Sequence, residues 1–173
     1  GIVFTQNSLF LISDSSQFLY RFDLQNQFLD KIALGTKAQE NLPKKQKPDF
    51  EILTQHKGEL HLFGSGSKAH RNQHVVYAID SGFYTAFNRS ALYQQLAELA
   101  QITEDDLNLE GAFFYQEQWY FCQRGNSKSQ QNGLFICNQN FEPLQFQAIE
   151  LPKIQNVQAT FTDAVLVDDA AYF

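Results

Sequence analysis

Leu19-Tyr20-Arg21-Phe22-Asp23, Val75-Val76-Tyr77-Ala78-Ile79-Asp80 and Leu134-Phe135-Ile136-Cys137-Asn138 are three short apolar stretches, each closed by Asp or Asn. They recur about 57 residues apart. A second series runs at the same period: Asp49-Phe50-Glu51, Asn108-Leu109-Glu110 and Phe161-Thr162-Asp163 each place acids at the opening of an apolar strand. Two elements that recur in one order at one period define a repeat architecture.

Between these anchors the strands are short and alternating. Four fill the first repeat, near residues 2–5, 9–13, 18–23 and 28–34, with Asn7-Ser8, Asp14-Ser15-Ser16 and Gln25-Asn26 supplying turn chemistry. Four antiparallel strands per repeat is the pattern of a β-propeller blade. The reading is therefore an all-β propeller fragment of about three blades (1–36, 47–89 and 108–152) with the start of a fourth at 157–173. A helical insertion occupies 90–107, with Ser90 as N-cap and Leu92, Leu96, Leu99 and Ala100 along one face. Three blades and a piece do not close a ring, so the remaining blades are expected from the same chain or a second one.

Composition agrees with the strand pattern. Aromatic residues make up 14% of the 173 residues, including 17 Phe and 7 Tyr, against 18% charged, and aromatic side chains suit pleated, half-buried surfaces. A net charge of −6 sets aside nucleic acid and anionic membranes as partners, since both demand basic patches. No apolar run approaches the roughly 18 residues of a spanning helix. The chain holds no Met and both opens and stops inside apolar strands, which reads as a piece of a longer protein. No signal peptide is visible, and a chain without its natural start leaves cytoplasm and periplasm both open.

Candidate chemistry gathers where the innermost strands begin. Strand alternation puts Asp49 and Glu51 on one face, and the repeat makes Glu51, Glu110 and Asp163 equivalent. These three are the candidate catalytic acids, and Asp49, Glu51, Glu110 and Asp163 the candidate metal ligands. Carboxylates that converge repel one another, so a cation belongs among them. Ca²⁺, which takes carboxylate oxygens, is the candidate cofactor, with Lys47 or Arg124 as the protein's own alternative. In a purely structural role, each acid would hydrogen-bond within its own blade.

The loops after each second strand also correspond: Asp14-Ser15-Ser16, Gly64-Ser65-Gly66-Ser67 and Arg124-Gly125-Asn126. Glycine-serine loops can converge backbone N–H groups on an anion, so Lys47, Ser65, Ser67, Arg124 and Asn126 are candidates for holding a small anionic or phosphorylated ligand, with Lys68 and Arg71 close behind. No helix follows, so this is no P-loop. Cys122 and Cys137 fall on adjacent strands of one hairpin, either as buried small hydrophobes or as a disulfide. The four histidines include a four-residue spacing, His70 and His74, that lies off any helix and makes a poor metal motif.

Lys47-Pro48-Asp49-Phe50-Glu51, Gly64-Ser65-Gly66-Ser67, Asn108-Leu109-Glu110-Gly111-Ala112, Arg124-Gly125-Asn126 and Thr162-Asp163-Ala164 together resemble an uncharacterised family of bacterial β-propeller proteins. The resemblance covers nearly the whole chain and implies that it corresponds to the N-terminal half of a member. The wider group resembles phytase-like and lactonase-like hydrolases with metal at the channel mouth. The acids and the resemblance together imply two alternative functions. One is metal-dependent binding or hydrolysis of a small anionic ligand at the mouth; the other is a non-enzymatic interaction or structural module.

Overall fold

A computed structural model describes residues 1–173. The first sheet holds β1 (Ile2–Thr5), β2 (Ser8–Leu11), β3 (Phe18–Asp23) and β4 (Phe28–Ala33). The second holds β5 (Phe50–His56), β6 (Glu59–Gly64), β7 (Gln73–Ala78) and β8 (Tyr84–Asn88). After helix α1 (Ser90–Ala100), β9 (Leu109–Tyr115), β10 (Gln118–Gln123), β11 (Gly133–Asn138) and β12 (Pro143–Ala148) form the third. All three are antiparallel with strands in chain order.

The first strands pack on one another: β1 against β5 and β5 against β9. Burial falls outward in each of the last two sheets, and every residue of β8 is exposed. Sheets that meet along their first strands and open to solvent along their last are blades around an axis. The chain is an arc of a β-propeller.

The turns repeat too. The first hairpin of each blade closes on two residues of positive φ: Gln6-Asn7, Lys57-Gly58 and Gln116-Glu117, the tight turn whose twist matches antiparallel strands. β15 (Val165–Val167) and β16 (Ala170–Tyr172) are joined by Asp168-Asp169 in the same conformation, and β15 packs on β9. This hairpin continues the arc as a fourth unit. Its strand starts at Val165, later than expected, because residues 159–164 are not in a strand. A small hairpin, β13 (Lys153–Ile154) with β14 (Val157–Gln158), precedes it.

The core lies between blades. Phe10 and Leu19 meet Leu53, Leu60 and Leu62 between the first two, while Phe63 and Ile52 meet Trp119, Phe121 and Phe135 between the second and third. A third cluster joins Phe113 and Cys122 to Phe161 and Ala164. β6 feeds two cores from its two faces, Leu60 and Leu62 from one and Phe63 from the other, which is why the middle of the strand is apolar at every position but His61.

Helix α1 is where expected, but its surroundings are not. It contributes Leu92, Tyr93 and Leu96 to the core between the second and third blades and packs on β12. Leu99 is exposed while Tyr93 and Ala97 are buried. Ser90 is not the cap: Arg89 holds that position, and the Asn88 side-chain oxygen accepts the Ser90 N–H at 2.8 Å. Tyr93 donates its hydroxyl to the Gly64 carbonyl at 2.6 Å. Its ring lies against Gly66 (φ +80°), where a Cβ would come within 2.2 Å; only glycine fits there. No helix is long and apolar enough to cross a membrane.

Cys122 and Cys137 are free and buried. Trp119 is the partner of Cys137 and Leu134 that of Cys122, an offset of three positions that turns the thiols to opposite faces. A disulfide is excluded by register.

Candidate functional site at the channel mouth

Main-chain hydrogen bonds lace the mouth together. Asp49 N–H donates to the Asp14 carbonyl at 2.9 Å, and Leu109 N–H to the Ser65 carbonyl at 2.8 Å. These two bonds tie the lead-in of each innermost strand to the loop of the preceding blade. Within blades, Ser65 N–H donates to Asp49 and Arg124 N–H to Asn108, both at 2.9 Å. The loop correspondence expected from sequence is thus physical.

The innermost strands carry equivalent bulges. Phe50 and Ile52 face Gly64 and Phe63, leaving Glu51 extra; Leu109 and Gly111 face Gln123 and Cys122, leaving Glu110 extra. A bulge re-aims the side chain of its extra residue. Here the two bulged carboxylates both feel the charge of Asp49, and Glu51 also feels that of Glu110, each contribution raising the pKa.

Asp49 is the hub. It is buried, with φ +57°, a conformation that Asp tolerates better than most residues. Lys47 Nζ lies 2.5 Å from its Oδ1, and Arg71 Nη1 2.8 Å from its Oδ2. Ser65 Oγ donates to Oδ2 at 2.5 Å, and Ser67 Oγ stands 3.4 Å from it. Lys47 also reaches Asp14 Oδ2 at 2.6 Å. Arg71 donates to Ser67 Oγ at 2.6 Å and to the Lys44 carbonyl at 3.1 Å. The glycine-serine loop therefore cradles an anion, and that anion is the protein's own Asp49.

Glu110 is held differently. Arg124 Nη1 is 3.1 Å from Oε1, and Asn108 Nδ2 donates to the same oxygen at 2.8 Å. Burial raises its pKa, and Arg124 works against the rise. Glu51 has neither an ion pair nor a hydrogen bond. Burial first, then repulsion from Glu110, Asp49 and Asp14, lifts its pKa to about 7. The hydrogen bond from Lys47 holds Asp14 below its usual range. Burial opposes charge on Lys47, yet its hydrogen bonds to Asp14 and Asp49 prevail and raise its pKa.

Of the residues singled out in the sequence, Lys47, Asp49, Ser65 and Ser67 share one bonded network, Glu110 and Arg124 form a separate pair, and Glu51 lies near Asp49 and Glu110 without bonding to either. Asn126 is exposed and accepts a 3.2 Å hydrogen bond from Asn108. Asp163 stands apart: its carboxylate accepts its neighbour Ala164's N–H at 2.8 Å. It lines a mostly apolar cavity of about 950 Å³ bounded by β1, the ends of β5 and β9, and the fourth unit. Lys68 pairs outward with Asp105 at 2.7 Å. Asp14, read in the sequence only as a turn residue, belongs to the mouth, where its carbonyl takes the place that the Ser65 carbonyl takes one blade on. Asp14, Asp49 and Glu51 each offer an oxygen, all within 4.8 Å of one another.

The chain is similar to several solved structures. One is a europium-containing methanol dehydrogenase (TM-score 0.46, 8% identity, covering 88% of this chain and 25% of that one). Another is an S. cerevisiae assembly of Dbp5 with Nup159, Gle1, IP6 and ADP (TM-score 0.37, 10% identity, 96% and 35%). A third is the computationally designed protein Ika8 (TM-score 0.35, 7% identity, 98% and 65%). The chain spans less than two thirds of the length of each. No curated protein matches it. A family model matches residues 1–173, and the chain belongs to that family, the Family of unknown function (DUF6929).

Proposed function

We propose that the channel mouth is a cation-assisted binding site for a small ligand, with Asp14, Asp49 and Glu51 as oxygen donors to a divalent cation such as Ca²⁺. The observation that carries this reading is the 4.8 Å grouping of those oxygens around a Glu51 carboxylate that has no partner. Oxygens so spaced lie within about 2.8 Å of a common point, so side-chain shifts of a few tenths of an ångström bring them to the roughly 2.3–2.6 Å that Ca²⁺ requires. Lys47 now bridges Asp14 and Asp49, so its ammonium and a divalent cation are alternative counter-charges for the same oxygens. Lys47, Arg71 and Arg124 are each committed to an internal acid; an anionic ligand would bind through the metal. In hydrolysis, Glu51, with a pKa of about 7, is suited to take a proton from water near neutral pH, with Glu110 across the mouth as its counterpart.

Calorimetric titration with CaCl₂ tests the reading. Wild type should bind one ion, Glu51→Gln should lose it, and Lys47→Gln should bind more tightly. Absence of binding in both wild type and Lys47→Gln would overturn it. The same ion pairs favour a second reading, a structural or interaction module in which the mouth network only laces blades together. That reading predicts no metal response and a loss of stability on breaking any pair.

A further inference from the structure

Away from the mouth, the second blade contains a chain of hydrogen bonds whose direction can be deduced. His61 on β6 pairs with Val76, and His74 on β7 pairs with Phe63, so the histidines are diagonal neighbours on one face of the sheet. Both are buried, at 6% and 0% exposure. Their rings are 5.3 Å apart and nearly parallel, with His61 Nδ1 3.0 Å from His74 Nε2. At the inner end, Arg89 donates its Nε–H to His74 Nδ1 at 3.2 Å. The guanidinium is held 4.7 Å from the Phe87 ring and 4.9 Å from the Phe141 ring.

A guanidinium only donates, so His74 Nδ1 is an acceptor. Burial, reinforced by the neighbouring His61 and Arg89, lowers the His74 pKa to about 2, and burial lowers that of His61 to about 4. Both rings are neutral, and each carries one N–H. That of His74 must be on Nε2, where it donates to His61 Nδ1. That of His61 must then be on Nε2. This last N–H has no hydrogen-bond partner although it is buried; the Glu59 carboxylate is 3.8 Å away, beyond a hydrogen bond. His61 and Glu59 line a cavity of about 230 Å³ whose aromatic walls include His56, Phe114, Trp119 and Phe141.

We propose that this cavity binds a small planar ring whose edge carries a hydrogen-bond acceptor beside a donor, the chemistry shared by an aromatic carboxamide and a pyrimidine base. The ligand's entry displaces the wall enough to uncover the His61 Nε2–H, which is otherwise sealed from solvent; the acceptor then takes that N–H, the donor meets Glu59, and the aromatic walls cover the ring faces. A metal does not suit the site. Coordination by His61 Nε2 would move its proton to Nδ1, toward His74 Nε2, and would leave His74 confronting donors on both nitrogens. A carboxylate does not suit it either, because Glu59 stands beside the donor.

Trp119 is the single tryptophan of the chain, so its fluorescence reports on the cavity. Titrations with benzamide and with cytosine distinguish the two sources, and acetophenone supplies an acceptor alone. Saturable quenching by benzamide or cytosine is expected. His61→Phe, which keeps an aromatic ring, should weaken it about tenfold, the loss of one hydrogen bond to a buried donor. Glu59→Ala should weaken benzamide or cytosine but leave acetophenone unchanged. No saturable quenching by any probe, or equal affinity in His61→Phe, would overturn the proposal. Nitrogen-15 spectra of wild type provide a check independent of any variant: both buried histidines should be Nε2–H tautomers, and an Nδ1–H His61 would also overturn it. None of these outcomes bears on cation binding at the mouth.

Discussion

Glu51 and Glu110 occupy one position in two successive blades, each the extra residue of a bulge in an innermost strand. Their environments differ in one respect. Glu110 is paired with Arg124, whereas Glu51 has no ion-pair partner and feels only the more distant charge of Lys47. The blade repeat thus creates two like charges and neutralises only one of them.

That imbalance makes stability depend on pH. The Glu51 pKa rises from 4.5 to about 7 on folding, so the folded state holds this proton more tightly than the unfolded chain. The resulting stabilisation is complete below pH 4.5 and is lost as pH rises through 7. Glu51→Gln should therefore be more stable than wild type at pH 8, by about 1 kcal/mol after discounting for solvent screening of a partly exposed group. The two proteins should converge near pH 5, and urea denaturation at both pH values measures the difference.

Asp49 should be the costliest polar position to change. Asp49→Asn retains tolerance of the left-handed backbone but leaves Lys47 and Arg71 without their shared carboxylate. Breaking one side of a buried pair costs about 3–5 kcal/mol. A drop of that size in unfolding free energy is expected, with partial recovery when Lys47→Met is added.

Gly111 controls the docking of the fourth unit. A Cβ there would lie 2.5 Å from Ala164 N and 2.6 Å from Asp163 C. Gly111→Ala should push residues 159–167 off β9 at a cost of about 1–3 kcal/mol. Limited proteolysis should then cut between residues 150 and 165 faster than in wild type, while the first two blades stay protected.

The thiols give a simple readout of register. Burial pushes both the Cys122 and the Cys137 pKa up to about 12. A thiol reagent at pH 8 should find none in the native protein and both in denaturant without reductant. A native disulfide would leave none in either condition.

Much of this was legible in the residues. The recurring Leu19, Val75 and Leu134 strands are the third strands of their blades, and the sequence repeat alone aligns Glu51 with Glu110. The misreadings have physical causes. The helical period puts Leu99 on the apolar face, whereas α1 packs between two blades and buries Tyr93 and Ala97 instead. Asp163 looked equivalent to Glu110, but residues 159–164 are not paired as a strand, so no bulge turns its side chain to the mouth. His61 and His74 lie 13 residues apart on different strands, and only the β6–β7 register makes them neighbours.

Strand period, turn positions and the order of acids along the chain are local properties, set by side-chain alternation and backbone preference over a few residues, and the sequence alone determined them. Which acid receives a counter-charge, which nitrogen of His61 keeps its proton and which cysteine faces which core depend on strand register and on groups from different strands meeting at about 3 Å. Only the tertiary structure decided those, because hydrogen bonds and ion pairs fall off within a few ångströms while the chain brings their partners from tens of residues away.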